Sequence, residues 1–286
     1  MLENVMNNLR SKNIKYVVIS WELAKKGVQS QLRQDEFIVE HIFDSRSAGY
    51  IATGICAERR EPVILITENN NDSRNCYSAL TEAYYKKLPI IFLTINTGGY
   101  SLDYINELRD ATISTEFVNE NNSFDNSIID LCIEKKMPVH IIIEENTRVL
   151  TDKFDICDNI SILNDSSCYL YLSNSFVIPS DFNVRRSAIG GCDGGASNIL
   201  GASLSGNFKK YIGILTDEEL LHDLNALGNR FMNDSVSFLV YSLNNRRNII
   251  ADYARDLGFS IYKGESNIPK LLENKKAIVF VDEWQS

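Results

Sequence analysis

The chain has 286 residues, 44% of them hydrophobic and 23% charged, with a formal net charge of −9 at pH 7. That is the balance of a globular protein of one large or two ordinary domains, able to bury a core without disulfide staples. The acidic excess argues against a nucleic-acid or anionic-membrane surface, and no apolar run approaches the roughly 20 residues that span a bilayer.

From the amino end, "MLENVMNNLRSKN" is polar and mixed in charge, without the pattern of a signal peptide, so a cytoplasmic protein is expected. "IKYVVIS" (14–20) is a short, continuous apolar run of the kind made by strands buried on both faces. "EFIVEHI" (36–42) gives way to the helix pattern "SAGYIATGICAERR" (47–60), which places Asp44, Ser45 and Arg46 at a strand-to-helix turn. In open α/β sheets such turns line the ligand crevice. Strands "PVILIT" (62–67), "PIIFLTI" (89–95) and "PVHIII" (138–143) follow, separated by helix patterns over 74–87 and 124–136. Pro62, Pro89 and Pro138 each close a helix pattern and open a strand.

Residues 151–166, "TDKFDICDNISILNDS", break the pattern with charge and asparagine and read as a linker or short crossing segment. A second series then runs through strand "SCYLYLS" (167–173), the glycine-rich turn "GGCDGG" (190–195) and a helix over 196–205. Strand "KKYIGILT" (209–216), helix 218–231, strand "SVSFLVYS" (235–242), helix 246–257 and strand "KAIVFVD" (276–282) complete it. The alternation predicts an α/β chain of two tandem, doubly wound, mostly parallel-sheet domains, 1–150 and 167–286. The cysteines (56, 76, 132, 157, 168, 192) make no CxxC pair and read as free thiols, and the three histidines show no metal-ligand spacing. His140, inside "PVHIII", reads as a core histidine.

"HIFDSRSAGYIATGICAERREPVILITENNNDSRNCYSALTEAYYKKLPIIFLT" (41–94) resembles the pyrimidine-binding domain of thiamine-diphosphate (ThDP) enzymes, nearest to the SEPHCHC synthase and acetolactate-synthase-like branch. "GGCDGGASNILGASLS", "YIGILTDEELLHDLNAL" and "FLVYSLNN" resemble, in order, the diphosphate-binding domain of the same family. The resemblance implies a pyrimidine-type domain followed by a diphosphate-type domain, without the family's central domain. It implies ThDP and Mg²⁺ as cofactors, with the cofactor's own carbanion serving as nucleophile and electron sink. Asp217 and Asn244 fall at the family's metal positions, hard oxygen ligands of the kind Mg²⁺ needs. Asp193, Gly194, Glu218, Glu219 and Asn245 fall beside the expected diphosphate. A leftover turn aspartate and strand-end asparagine, and a simple tight turn at 190–195, are the alternative readings. Because the family site is built between the two domain types, commonly from two chains, the resemblance also implies a homodimer or a complex with an intact paralogue.

The chain departs from the family at the chemistry. Ser45 stands where the family has the glutamate that bonds the aminopyrimidine and shifts its tautomer; a serine carries no charge to do so. Glu40 is a possible substitute only if its strand takes an unusual register. "TENNND" (67–72) replaces small residues, and "TDEE" (216–219) puts Glu218 and Glu219 beside an expected anion. "NNRRN" (244–248) supplies Arg246 and Arg247, which could pair with those glutamates or contact some other phosphate. Arg185–Arg186 and Tyr84–Tyr85 also match the family, with solvated arginines and packing tyrosines as the plainer readings. The expectation is a reduced homologue whose cofactor chemistry is weakened or lost, acting as a binding, regulatory or scaffold partner or holding another small ligand. The alternative is an active ThDP- and Mg²⁺-dependent decarboxylase or carboligase of a small 2-oxo acid.

Overall fold

The structure, a computed structural model, describes residues 1–20, 23, 28, 32, 36–68, 71–96, 108–144, 155–156, 158–173, 175–177, 182, 184, 186–187, 194–242, 247–273 and 275–282. Contacts divide the chain into two units, Met1–Leu150 and Thr151–Ser286. Each is an α/β unit around one six-stranded sheet, and every strand pairing in both sheets is parallel.

The first unit contains strands β1 (Tyr16–Ser20), β2 (Ile38–Ile42), β3 (Val63–Glu68), β4 (Ile90–Asn96), β5 (Thr115–Val118) and β6 (Val139–Glu144). Its helices are α1 (Leu2–Ser11), α2 (Ser45–Arg59), α3 (Asn71–Asn75), α4 (Tyr77–Lys86) and α5 (Ser127–Lys135). The strand order is β2-β1-β3-β4-β6-β5. Strand residues of one parity (Val17, Ile19, Ile64, Ile66, Ile91, Leu93) join α1 and α5 in one apolar cluster. Residues of the other parity (Val18, Leu65, Phe92) join α2 and α4 in a second. Two buried faces explain the continuous apolar runs. Gly49 lets α2 approach α4: a Cβ there would lie 2.9 Å from that of Ala79.

The second unit contains β7 (Cys168–Leu172), β8 (Arg186–Ser187), β9 (Lys210–Thr216), β10 (Val236–Ser242), β11 (Ser260–Lys263) and β12 (Ala277–Asp282). Its α-helices are α6 (Gly195–Ser203), α7 (Asp217–His222) and α8 (Arg247–Asp256). Its sheet order, β11-β12-β10-β9-β7-β8, is that of the first unit when β7 is matched to β1 and β9 to β3. The two units are therefore topological repeats. α6 sits tightly on β9 because Gly213 has no side chain; a Cβ there would be 2.1 Å from Ile199 Cδ1.

Several elements differ from expectation. The helix expected over 218–231 stops at His222, and a 3₁₀ segment, Leu224–Gly228, follows. The helix expected over 74–87 is two pieces, α3 and α4. Within 151–166, a 3₁₀ turn (Asp158–Leu163) packs Ile160 and Leu163 into the core of the second unit. α1, β5, β11 and the 3₁₀ segment Glu265–Leu272 were not foreseen. Among the described residues, no helix is long and apolar enough to cross a membrane.

Candidate functional site

In a doubly wound sheet the crevice opens at the carboxyl ends of the strands, where successive crossovers leave in opposite directions. In these units that point lies between β1 and β3, and between β7 and β9. The described candidate residues fall on the turns around these two places, each unit taken by itself.

In the first unit, Asp44 ends the extended segment and caps α2, accepting from Ser47 N at 2.8 Å and Ser47 Oγ at 2.6 Å. That cap sets Ser45 as the first helical residue, buried at 2% exposure. Asn75 Nδ2 donates to Ser45 Oγ at 3.4 Å, and Cys76 Sγ donates to the Ser45 carbonyl at 3.1 Å. The position therefore holds a neutral hydroxyl engaged by an amide. Burial, with Asp72 and Asp44 close by, pushes the Cys76 thiol well above its usual range, which makes it an inert packing group. Across the switch point, Ser20 Oγ bonds Asp72 Oδ2 at 3.4 Å. Glu40 lies on the edge strand β2, exposed and in register with Val18, so it takes an ordinary strand position. Behind the turn, His140 is fully buried, stacked on Phe92, with Nε2 3.0 Å from Thr94 Oγ1. Burial lowers its pKa to about 3, so it is a neutral core histidine, as read from its apolar setting. Tyr84 and Tyr85 form an edge-to-face pair with Tyr85 79% exposed.

In the second unit, β9 runs straight into α7 through Thr216, whose side chain accepts from Glu219 N at 3.2 Å while Glu219 Oε2 accepts from Thr216 N at 2.8 Å. This is a reciprocal capping box. The other Glu219 oxygen accepts from Ser175 Oγ at 2.8 Å. Burial raises the Glu219 pKa, and the bonds from Thr216, Ser175 and Ser173 oppose it. Both oxygens of Glu219 are thus used in holding the turn. Asp217 and Glu218 are also buried, and Ser242 Oγ at the end of β10 donates to Asp217 Oδ2 at 3.3 Å. Asp217 therefore stands where the carboxyl ends of β9 and β10 meet, Thr216 being in register with Tyr241.

Gly194 caps α6 in the left-handed region, φ 79°, which a side chain would strain. One donor in the first turn of α6 is met by a carboxylate: Asp223 accepts from Ser197 N at 2.5 Å and Ser197 Oγ at 2.7 Å. A carboxylate thus stands at the amino end of α6, where negative charge is favoured. Arg247 pairs with Asp282 at 2.5 Å, not with Glu218 or Glu219. Asp193, Asn244, Asn245, Arg185 and Arg246 lie outside the described residues, as does the side chain of Arg186. Among the described residues, no group of three or more His, Cys, Asp or Glu side chains is placed to hold a metal ion.

Sequence reasoning named Ser45, Gly194, Asp217, Glu218 and Glu219, but missed what holds them: Asp44, Asn75 and Cys76 in one unit, Ser175 and Asp223 in the other. The capping box had a readable signal, the Thr-x-x-Glu of "TDEE". Asp223 had none, since its partner is 26 residues away.

No family model matches the sequence. Curated relatives include enzymes named 2-succinyl-5-enolpyruvyl-6-hydroxy-3-cyclohexene-1-carboxylate synthase. The enzyme of Christiangramia forsetii is 28% identical over 184 residues, 53% of this chain and 31% of the relative. That of Flavobacterium psychrophilum is 25% identical over 173 residues, 55% of this chain and 32% of the relative. That of Bacillus velezensis is 32% identical over 108 residues, 38% of this chain and 16% of the relative. The chain thus spans a third or less of the length of these relatives. They support the likeness to the ThDP-enzyme family drawn from the motifs.

Proposed function

We propose that this chain is a reduced relative of ThDP-dependent 2-oxo acid decarboxylases and carboligases whose cofactor chemistry is weakened or lost. It acts as a binding, regulatory or scaffold partner, paired with a copy of itself or with an intact paralogue, in the cytoplasm. The observation that carries the reading is the turn at Ser45. A buried hydroxyl, bonded by Asn75 just after the Asp44 cap, offers an aminopyrimidine ring no carboxylate at the family position. The residues present do not fit activation of ThDP there, and no step is derived through it. The carboxylate of Asp223 at the start of α6 adds to this, because it puts a negative charge on Ser197 beside the place of an expected anion.

A second reading is favoured by Asp217, a buried carboxylate at the joined ends of β9 and β10, which suits a hard cation. Asn244, two residues beyond Ser242, would be its companion ligand, and the chain would then be an active ThDP- and Mg²⁺-dependent enzyme on a small 2-oxo acid. A screen of 2-oxo acids with ThDP and Mg²⁺ decides between the readings. No turnover, in the native chain or in Ser45→Glu, is the result expected of the first. Turnover that Asp217→Ala abolishes would overturn it.

A further inference from the structure

We draw no further inference here: the strongest candidate, the open groove beside α6 lined by Tyr169, Gly194, Ser197, Asn198, Gly201 and Ala202, is a face of small residues, and nothing among the described residues shows what covers it.

Discussion

The two units use one topology, yet their switch-point turns are held in different ways. In the second unit, a serine beyond β7 bonds an acid at the start of α7 at 2.8 Å, and the start of α6 is clamped by Asp223 at 2.5 and 2.7 Å. At the matching places of the first unit, Ser20 meets Asp72 at 3.4 Å and Asn75 meets Ser45 at 3.4 Å. Bonds near 2.7 Å to ionised groups are strong, and those near 3.4 Å contribute little. One turn is locked by buried carboxylates that its own backbone satisfies. The other has its short carboxylate bonds in the local Asp44 cap on Ser47, 2.8 and 2.6 Å, and only long ones across the turn, with a small neutral residue at its centre. Fold-bearing bonds are present at both turns, whereas the side chain at position 45 of the first is a neutral hydroxyl and not a carboxylate.

The largest effect should come from filling the closest helix-to-sheet contact. Gly213→Val forces Ile199 and Phe238 apart and should destabilise the second unit by about 3 kcal/mol, read by denaturant unfolding with segment-resolved hydrogen exchange. The first unit's exchange should be unchanged. Ser45→Glu places a carboxylate in a buried position beside the Asp44 cap, and should cost the first unit about 2 kcal/mol without yielding ThDP turnover. An unchanged midpoint would mean that the pocket still accommodates the family's glutamate.

Acid should separate the units further. His140 has its pKa lowered from 6.5 to about 3, so the unfolded chain binds the proton more readily than the folded one across that window. The first unit should therefore lose stability as pH falls below 6.5, by up to about 1.4 kcal/mol per pH unit from this group. Glu219 in the second unit has a raised pKa, so its contribution runs the other way, present at low pH and lost as pH rises through the folded value. Exchange measured at pH 7 and pH 5 should show the first unit loosening first, and a His140→Asn variant should lose that dependence. The smallest effects are a matched pair. Asp223→Ala should cost about 1 kcal/mol, whereas Asn75→Ala should cost less than about 0.5 kcal/mol. Equal costs would remove the contrast between the turns.

The strands were legible because parallel strands buried on both faces read as unbroken apolar runs: those expected at 62–67, 89–95 and 138–143 stand at Val63–Glu68, Ile90–Asn96 and Val139–Glu144. α1 was passed over for its polarity, although Leu2, Val5, Met6 and Leu9 keep helical spacing on its buried side. The break after His222 was not legible, because Asp223 leaves the helix to serve Ser197, a tertiary bond without a local signal. At the site, the strand-to-helix turn around Ser45 could be read directly, but the burial of Glu219 inside its own cap could not, and it makes that residue a fastening of the turn.

The central claim is that the fold is kept while the cofactor chemistry is not, and calorimetric titration of the full chain with ThDP, with and without Mg²⁺, tests it most directly. The account predicts no Mg²⁺-dependent binding at millimolar cofactor. Binding in the micromolar range that requires Mg²⁺, about −8 kcal/mol, would contradict it and return Asp217 to the role of metal ligand.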